Sequence, residues 1–136
     1  MAEGEDRRDS LALATALAGA AESKLASEVV ILDMRGLVSY TDFLVICSAR
    51  SGRQADSIVG ETYRVMKHEH GLLPVNPARS SETDWTVLDY LDVVLHVFTG
   101  EARTTYDLED LWYEAPRVDF DSAPVGDSGD GQPVAD

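Results

Sequence analysis

Four aspartates and one histidine are the residues of this chain whose types could do chemistry: Asp33, Asp42, Asp89, Asp92 and His96. Aspartates near strand ends could hold a hard divalent cation, or act with a histidine as general base and acid. Metal spacings such as H-E-x-x-H are absent, however, and two of the aspartates flank a predicted turn, where this residue is common for conformational reasons. The pattern therefore favours a structural role over a metal site or an acid–base site, and we predict no metal and no cofactor.

A second candidate is an anion site at the segment from Ser48 to Arg53, which joins a predicted strand to a helix N-terminus. Free amides and the helix dipole favour negative charge there, and Arg50 and Arg53 could add charge-assisted contacts. The phosphate-binding patterns G-x-G-x-x-G and G-x-x-x-x-G-K-[ST] are both absent. An ordinary capped helix with two solvated arginines is the favoured interpretation.

No nucleophile has a recognisable catalytic setting. Cys47 lies inside a predicted apolar strand and is interpreted as a small buried hydrophobe, and no serine stands in a G-x-S-x-G elbow. His96 lies on an apolar strand, where a histidine is more often a satisfied core or interface group than a ligand. The residues alone therefore show no catalytic constellation, and we predict no catalytic residue.

The two tryptophans are candidates for an interface, because tryptophan often anchors protein contacts. Trp85 opens a predicted strand and could either cover a sheet edge or face a partner. Trp112 ends an amphipathic helix and is expected to close the core.

These residues must be positioned by a chain whose predicted element order is α-β-β-α-β-β-β-α. The first helix is expected to begin at the cap Ser10, with Leu13, Leu17, Ala21 and Leu25 along one face. The second is predicted to begin at a Ser51/Gln54 capping box and to end at Gly71. The remaining predicted elements are strands over residues 28–33, 43–48 and 72–76, a hairpin of residues 85–90 and 92–98 around Leu91, and a helix over 101–113. The predicted fold class is α/β or α+β, a mixed five-stranded sheet flanked by helices, with a parallel, right-handed crossover from 43–48 to 72–76.

The 136 residues suggest one domain, and the composition suggests a reducing compartment because Cys47 is the single cysteine. Residues 1–9 read as a disordered arm, residues 10–113 as the domain, and residues 114–136 as an acidic disordered tail. The chain has no apparent secretory signal and no apolar stretch of membrane-spanning length, so we expect a cytoplasmic protein with no membrane contact.

The net charge of -14 bears on the choice of partner. An acidic surface repels phosphate backbones, so direct binding of DNA or RNA is not expected. A basic protein is the better electrostatic partner.

Three segments of the chain together resemble the ribosomal silencing factor family (RsfS, or Iojap-like). The first is residues 30–43, the second is residues 46–48 with 51–54, and the third runs from Asp84 and Trp85 through 88–98 to Arg103, Tyr106, 108–109 and 111–112. They occur in order, at compatible spacing, over about residues 10–113. Leu91 departs from the pattern, since the family usually has glycine there.

The resemblance implies a nucleotidyltransferase-like core without the catalytic motif. It implies a factor that binds the large ribosomal subunit through a ribosomal protein (large-subunit protein fourteen) and sterically blocks subunit joining, so that translation is repressed. It also implies a homodimer when the protein is free. The alternatives that stay open are a degenerate nucleotidyltransferase-like enzyme and an assembly factor for the large subunit.

By the same resemblance, we expect the partner-binding residues to be Trp85, Asp89, Tyr90, Asp92 and His96, with Asp84, Arg103 and Tyr106 nearby.

Overall fold

The computed structural model describes residues 2–75 and 84–120, and for residues 2–9 it describes the backbone alone. The helices are α1 Ala2–Ser23, α2 Gly52–His70, α3 Ala102–Tyr106 and α4 Leu108–Leu111. The strands are β1 Ser27–Asp33, β2 Phe43–Ala49, β3 Trp85–Asp89 and β4 Val93–Thr99. No helix within the described ranges is both long and apolar enough to cross a membrane.

The four strands form one mixed sheet in the order β1-β2-β4-β3. β2 and β4 pair in parallel at its centre, and the two outer pairs are antiparallel. The central strands are apolar along nearly their whole length, as expected for strands covered on both faces. The mixed sheet is therefore confirmed.

The predicted fifth strand over residues 72–76 is wrong. Residues 72–75 form no strand, and Asn76 lies outside the described residues. The Val75 amide donates one hydrogen bond to the Asp89 carbonyl (2.7 Å), and this single bond does not make a ladder. Leu72 packs against the helical side of the sheet, whereas the Leu73 and Val75 side chains are both exposed. The parallel partner of β2 is therefore β4, and the crossover passes through α2 and the β3–β4 hairpin.

The two faces of the sheet bury different clusters. α1 and α2 cover one face, where Leu17, Phe43, Ile58 and Leu95 belong to the larger cluster, which we call the helix-side cluster. The opposite face carries a smaller cluster, to which Leu32, Met34, Leu44, Ile46, Val94, Phe98, Ala102 and Ala115 belong. Strand alternation thus divides the apolar residues between two layers.

The first helix differs from its prediction at both ends. It begins at Ala2 and passes through Ser10, which is fully buried within the helix and is not its N-cap. Leu13 and Leu17 face the core as predicted, but Leu25 lies beyond the helix, exposed and in the left-handed region (φ 67°). The helix thus runs through the residues expected to form an arm, and the disorder of residues 1–9 stays a prediction.

The N-terminus of α2 confirms the predicted cap. The Ser51 hydroxyl accepts from the Gln54 amide (3.1 Å), and Gly71 ends the helix at φ 68°. The Gln54 side chain departs from the predicted capping box, because its Oε1 accepts from the amide of Arg50, one residue before the N-cap (2.7 Å). Its Nε2 donates to the carbonyls of Lys24 (3.0 Å) and Leu25 (2.9 Å). One buried amide therefore ties the end of α1 to the start of α2.

The C-terminal part also differs from expectation. The predicted helix over 101–113 is divided into α3 and α4 by Asp107, which adopts φ 48°. The tail boundary at 114 needs correction, since the Asp33 amide donates to the Pro116 carbonyl (2.8 Å) and the Val118 amide donates to the Ile31 carbonyl (2.9 Å). These bonds pair the C-terminal end of the outer edge of β1. Residues 121–136, the rest of the predicted tail, lie outside the described residues.

Candidate functional site

One side of the β3–β4 hairpin carries most of the predicted partner-binding residues. Trp85, Val87 and Asp89 alternate along β3, and their cross-strand partners on β4 are Phe98, His96 and Val94. Residues directly opposite each other in an antiparallel pair point to the same face. We call the surface formed by Trp85, Val87, Asp89, Val94 and His96 the open face. It lies on the side opposite α1 and α2, and apart from Val94 its members are only partly buried.

An aromatic group fills one end of the open face. The Trp85 ring stacks on Phe98 (centroids 5.1 Å apart) and contacts Tyr106 of α3 (4.5 Å). The Tyr106 side chain is 55% exposed, so the group is accessible from solvent at its rim. A partly buried tryptophan framed by other rings is the kind of residue that anchors protein interfaces.

The Trp85 indole also makes a directional contact, because its Nε1–H donates to His96 Nδ1 at 3.0 Å. Burial lowers the pKa of His96 to about 4, although the nearby Asp89 carboxylate acts in the opposite direction. The imidazole is therefore neutral near pH 7, with Nδ1 free of its proton and able to accept. This geometry gives His96 a structural partner and no sign of a ligand role.

The other end of the open face is the hairpin loop of residues 90–92. Leu91 adopts φ 73° and is 62% exposed, and its amide donates to Asp89 Oδ1 (2.7 Å). Asp92 is exposed, and its carbonyl accepts from the amides of Asp42 and Phe43. The positive φ explains why a glycine would suit position 91, and the Asp89 side chain supports the turn locally.

The structure separates two of the predicted partner-binding residues from this surface. Tyr90 is 5% exposed and packs in the helix-side cluster, where burial raises its pKa to about 12. Strand alternation required this, since Tyr90 differs in parity from Trp85 and Asp89. We therefore remove Tyr90 from the candidate docking surface.

Arg103 is the second residue set apart, since it is engaged in an ion-pair network. It forms two hydrogen bonds to the Glu109 carboxylate (3.1 and 2.8 Å) and one to the Ser48 hydroxyl (2.9 Å), and Glu28 lies 3.9 Å away. Its side chain is 12% exposed, and its guanidinium holds the pKa of Glu109 below its ordinary value. Arg103 thus anchors α3, which carries Tyr106, and is not a free contact residue.

Asp84 lies at the Trp85 end of the hairpin. Its carboxylate accepts from the Thr99 hydroxyl (3.0 Å) and its carbonyl accepts from the Thr99 amide (2.9 Å). Asp84 is exposed, so a carboxylate stands at each end of β3. The five residues of that strand span roughly 13 Å between Trp85 and Asp89.

The groups considered for catalysis do not converge. Asp33 forms a two-pronged ion pair with Arg35 (2.9 and 2.7 Å), which lowers the pKa of that carboxyl. Burial raises the pKa of the Cys47 thiol to about 12, so it is a poor nucleophile. Among the described residues, no three histidine, cysteine or carboxylate side chains are grouped so as to hold a metal ion.

Sequence reasoning missed Val87, which lies on the open face between Trp85 and Asp89. A valine in a strand gives no signal of its own, since it is typical of a core position. The signal that could have found it is strand alternation, since Val87 lies two residues after Trp85 and so points to the same face.

Comparison with known proteins gives a consistent result. The family model described as "Ribosomal silencing factor during starvation" matches residues 7–134. A Ribosomal silencing factor RsfS from Bacillus subtilis is 35% identical over 104 residues, covering 76% of this chain and 87% of the relative. Protein Iojap, chloroplastic, from Arabidopsis thaliana is 33% identical over 119 residues, covering 88% of this chain and 49% of that protein.

A more distant relative carries a different name. Mitochondrial assembly of ribosomal large subunit protein 1 from mouse is 31% identical over 91 residues, covering 64% of this chain and 39% of that protein. Among solved structures, a Bacillus halodurans protein superimposes with a TM-score of 0.67 at 34% identity, covering 83% of this chain and 99% of that one.

Proposed function

Because the chain belongs to the ribosomal silencing factor family, we propose that it binds the large ribosomal subunit through a basic ribosomal protein and sterically blocks joining of the small subunit. The partner expected from the family resemblance is large-subunit protein fourteen. In this proposal the protein acts in the cytoplasm as a repressor of translation and catalyses no reaction. The names of the relatives support a regulatory role, since they describe silencing factors and not enzymes.

The observation that carries the proposal is the open face. It combines a partly buried tryptophan, an adjacent apolar strip and the Asp89 carboxylate within one short strand pair, and the exposed Asp84 lies next to it, just before Trp85. A few desolvated residues, tryptophan and tyrosine among the most frequent, supply most of the free energy of association at protein interfaces, and charged groups at the rim steer the encounter.

The local charge favours a basic partner. Residues 84–111 contain seven carboxylates and a single arginine, Arg103, which is already paired with Glu109. A surface of this sign attracts lysine and arginine side chains of a ribosomal protein and repels the phosphates of the incoming subunit's RNA. Docking would use the carboxylates that meet the partner, and exclusion would use those that stay exposed after docking.

The test is co-sedimentation of the full chain with isolated large subunits, together with a subunit-joining assay. We expect saturable binding and inhibition of joining at micromolar protein, with binding weakened by added salt because the contact pairs opposite charges. Absence of both binding and inhibition would overturn the proposal.

A matched pair of charge reversals tests the placement of the face. Asp89→Lys changes a carboxylate on the open face, and Glu69→Lys makes the same charge change on an exposed position of α2. We expect Asp89→Lys to weaken binding about tenfold, on the order of 1.4 kcal/mol, and Glu69→Lys to have little effect. Equal effects of the two variants would show that only the net charge matters.

A second candidate function, assembly of the large subunit, is favoured by the name of the mouse relative. It would use the same docking surface at a different time. Association with immature particles, and accumulation of such particles when the protein is depleted, would support it. Association with mature large subunits alone would favour silencing. The homodimer of the free protein stays a prediction.

A further inference from the structure

Trp85 and His96 are diagonal neighbours across the β3–β4 pair, since Trp85 faces Phe98 and His96 faces Val87. Diagonal positions are within reach of aromatic side chains. The indole N–H lies 3.0 Å from His96 Nδ1, which is an ordinary hydrogen-bond distance for a nitrogen donor.

The other described ring contacts of the indole do not define its orientation in the same way. Trp85 stacks on Phe98 at a centroid distance of 5.1 Å and meets Tyr106 in a tilted arrangement at 4.5 Å. Such contacts are largely dispersive, so they would also be made after a flip of the indole about its Cβ–Cγ bond. A hydrogen bond is directional and fixes which edge of the indole points into the sheet.

We propose that His96 is a positioning residue, whose unprotonated Nδ1 accepts the Trp85 indole N–H and so fixes the edge of the indole that the open face presents to its partner. His96 then contributes to docking through Trp85 and not by direct contact. The consequence for affinity rests on the proposed function, whereas the orientation of the indole can be measured in the protein alone.

The composition of the site supports this assignment. The imidazole is partly buried beside the stacked rings of Trp85 and Phe98 (centroids 5.8 and 6.4 Å from His96, respectively), so part of its surface is already covered within the protein. Because burial keeps the ring neutral at physiological pH, Nδ1 is available as an acceptor under working conditions. Pre-orientation of an anchor residue reduces the ordering cost of binding.

Two substitutions test the hydrogen-bond acceptor of His96 separately from the rest of its imidazole ring. In His96→Asn the side-chain carbonyl oxygen lies at a bond distance from the backbone similar to that of Nδ1 and can accept, whereas His96→Leu removes the acceptor but keeps an apolar group. Trp112→Phe leaves Trp85 as the single tryptophan, so its indole N–H resonance can be observed by NMR without ambiguity.

In this single-tryptophan protein we expect the indole N–H to be shifted downfield and protected from exchange with solvent. His96→Asn should keep both properties, and His96→Leu should exchange at least tenfold faster with an upfield shift. Far-UV circular dichroism provides the control for folding. An indole resonance unchanged by His96→Leu would overturn the proposal.

Binding to isolated large subunits completes the test. We expect His96→Leu to weaken affinity about tenfold and His96→Asn to stay within about threefold of the wild type. In a Trp85→Phe background, where the donor is absent, His96→Leu should cost nothing further. Equal losses in both backgrounds would show that His96 contacts the partner directly. If the wild type itself bound no subunits, the proposed function would fail while the NMR result would still decide the orientation of the indole.

Discussion

Replacement of Gln54 by methionine is expected to destabilise the protein far more than its position at a helix N-terminus suggests. The Gln54 side chain is 8% exposed and makes hydrogen bonds of 2.7, 3.0 and 2.9 Å to three backbone groups, which belong to Arg50, Lys24 and Leu25. Methionine has a similar length and no comparable donor or acceptor, so Gln54→Met leaves all three backbone groups without this partner. At about 1 kcal/mol for each hydrogen bond, the free energy of unfolding should fall by roughly 3 kcal/mol.

This loss is large for a domain whose total stability is on the order of 5–15 kcal/mol. Urea unfolding followed by circular dichroism measures it, and the midpoint should fall while the slope with denaturant stays the same. Ser51→Ala removes the cap alone and should cost about 1 kcal/mol.

The matched control is Ser57→Ala, an exposed position one turn further along α2, which should change stability by less than about 0.5 kcal/mol. If Gln54→Met costs less than about 1 kcal/mol, the amide does not join α1 to α2 as the structure shows. A loss equal to that of Ser51→Ala would reduce Gln54 to an ordinary capping residue.

Three further outcomes follow from the site. At position 91, where φ is 73°, Leu91→Gly should be more stable than Leu91→Ala by about 1 kcal/mol in urea unfolding, although glycine is usually the less stabilising of the two residues. Equal stability of the two variants would show that the loop changes its backbone conformation to accept alanine. Arg103→Met removes two hydrogen bonds to the Glu109 carboxylate and leaves it only the more distant Arg117 (3.6 Å), so the variant should lose about 3 kcal/mol of stability. An unchanged midpoint of thermal unfolding would show that these bonds contribute nothing to the folded state. The pKa of His96 is about 4 in the folded protein and about 6.5 in the unfolded chain, so as the pH falls the unfolded chain binds the proton first. The stability that comes from the neutral imidazole is therefore complete above pH 6.5 and is lost as the pH falls toward 4. His96→Asn should therefore reduce the loss of stability between pH 6.5 and 4. If the free energy of unfolding fell equally with pH in the variant and the wild type, the burial of the His96 imidazole would be contradicted.

The parts of the fold that could be predicted are those set by local chemistry. Ser51, Gln54 and Gly71 define the ends of α2 through hydrogen bonds and backbone preferences within a few residues. The two central strands of the sheet could also be predicted, because the apolar runs in β2 and β4 can be buried only between two layers.

The wrong predictions concern segments whose structure is determined by tertiary contacts. The strand expected over residues 72–76 had enough apolar residues, but its described part, residues 72–75, makes one backbone hydrogen bond to the end of β3 and no ladder. The segment around Pro116 and Val118 was assigned to a disordered tail because it has little to bury, yet the free edge of β1 gives its backbone partners.

The candidate site shows the same division. Leu91 could be recognised as a departure from the family pattern, but its left-handed backbone became visible only in the folded hairpin. The bond between Trp85 and His96 depends on the register of β3 against β4, which the sequence does not encode locally. Tyr90 could have been excluded from the surface by parity alone.

The most direct test of the docking account is the affinity of the full chain for isolated large ribosomal subunits, measured for the wild type and for Trp85→Ala. We expect saturable, salt-sensitive binding by the wild type and at least tenfold weaker binding by the variant, about 1.4 kcal/mol, with the variant still folded. Failure of the wild type to bind, or equal affinities for the two proteins, would contradict the assignment of the open face as the docking surface.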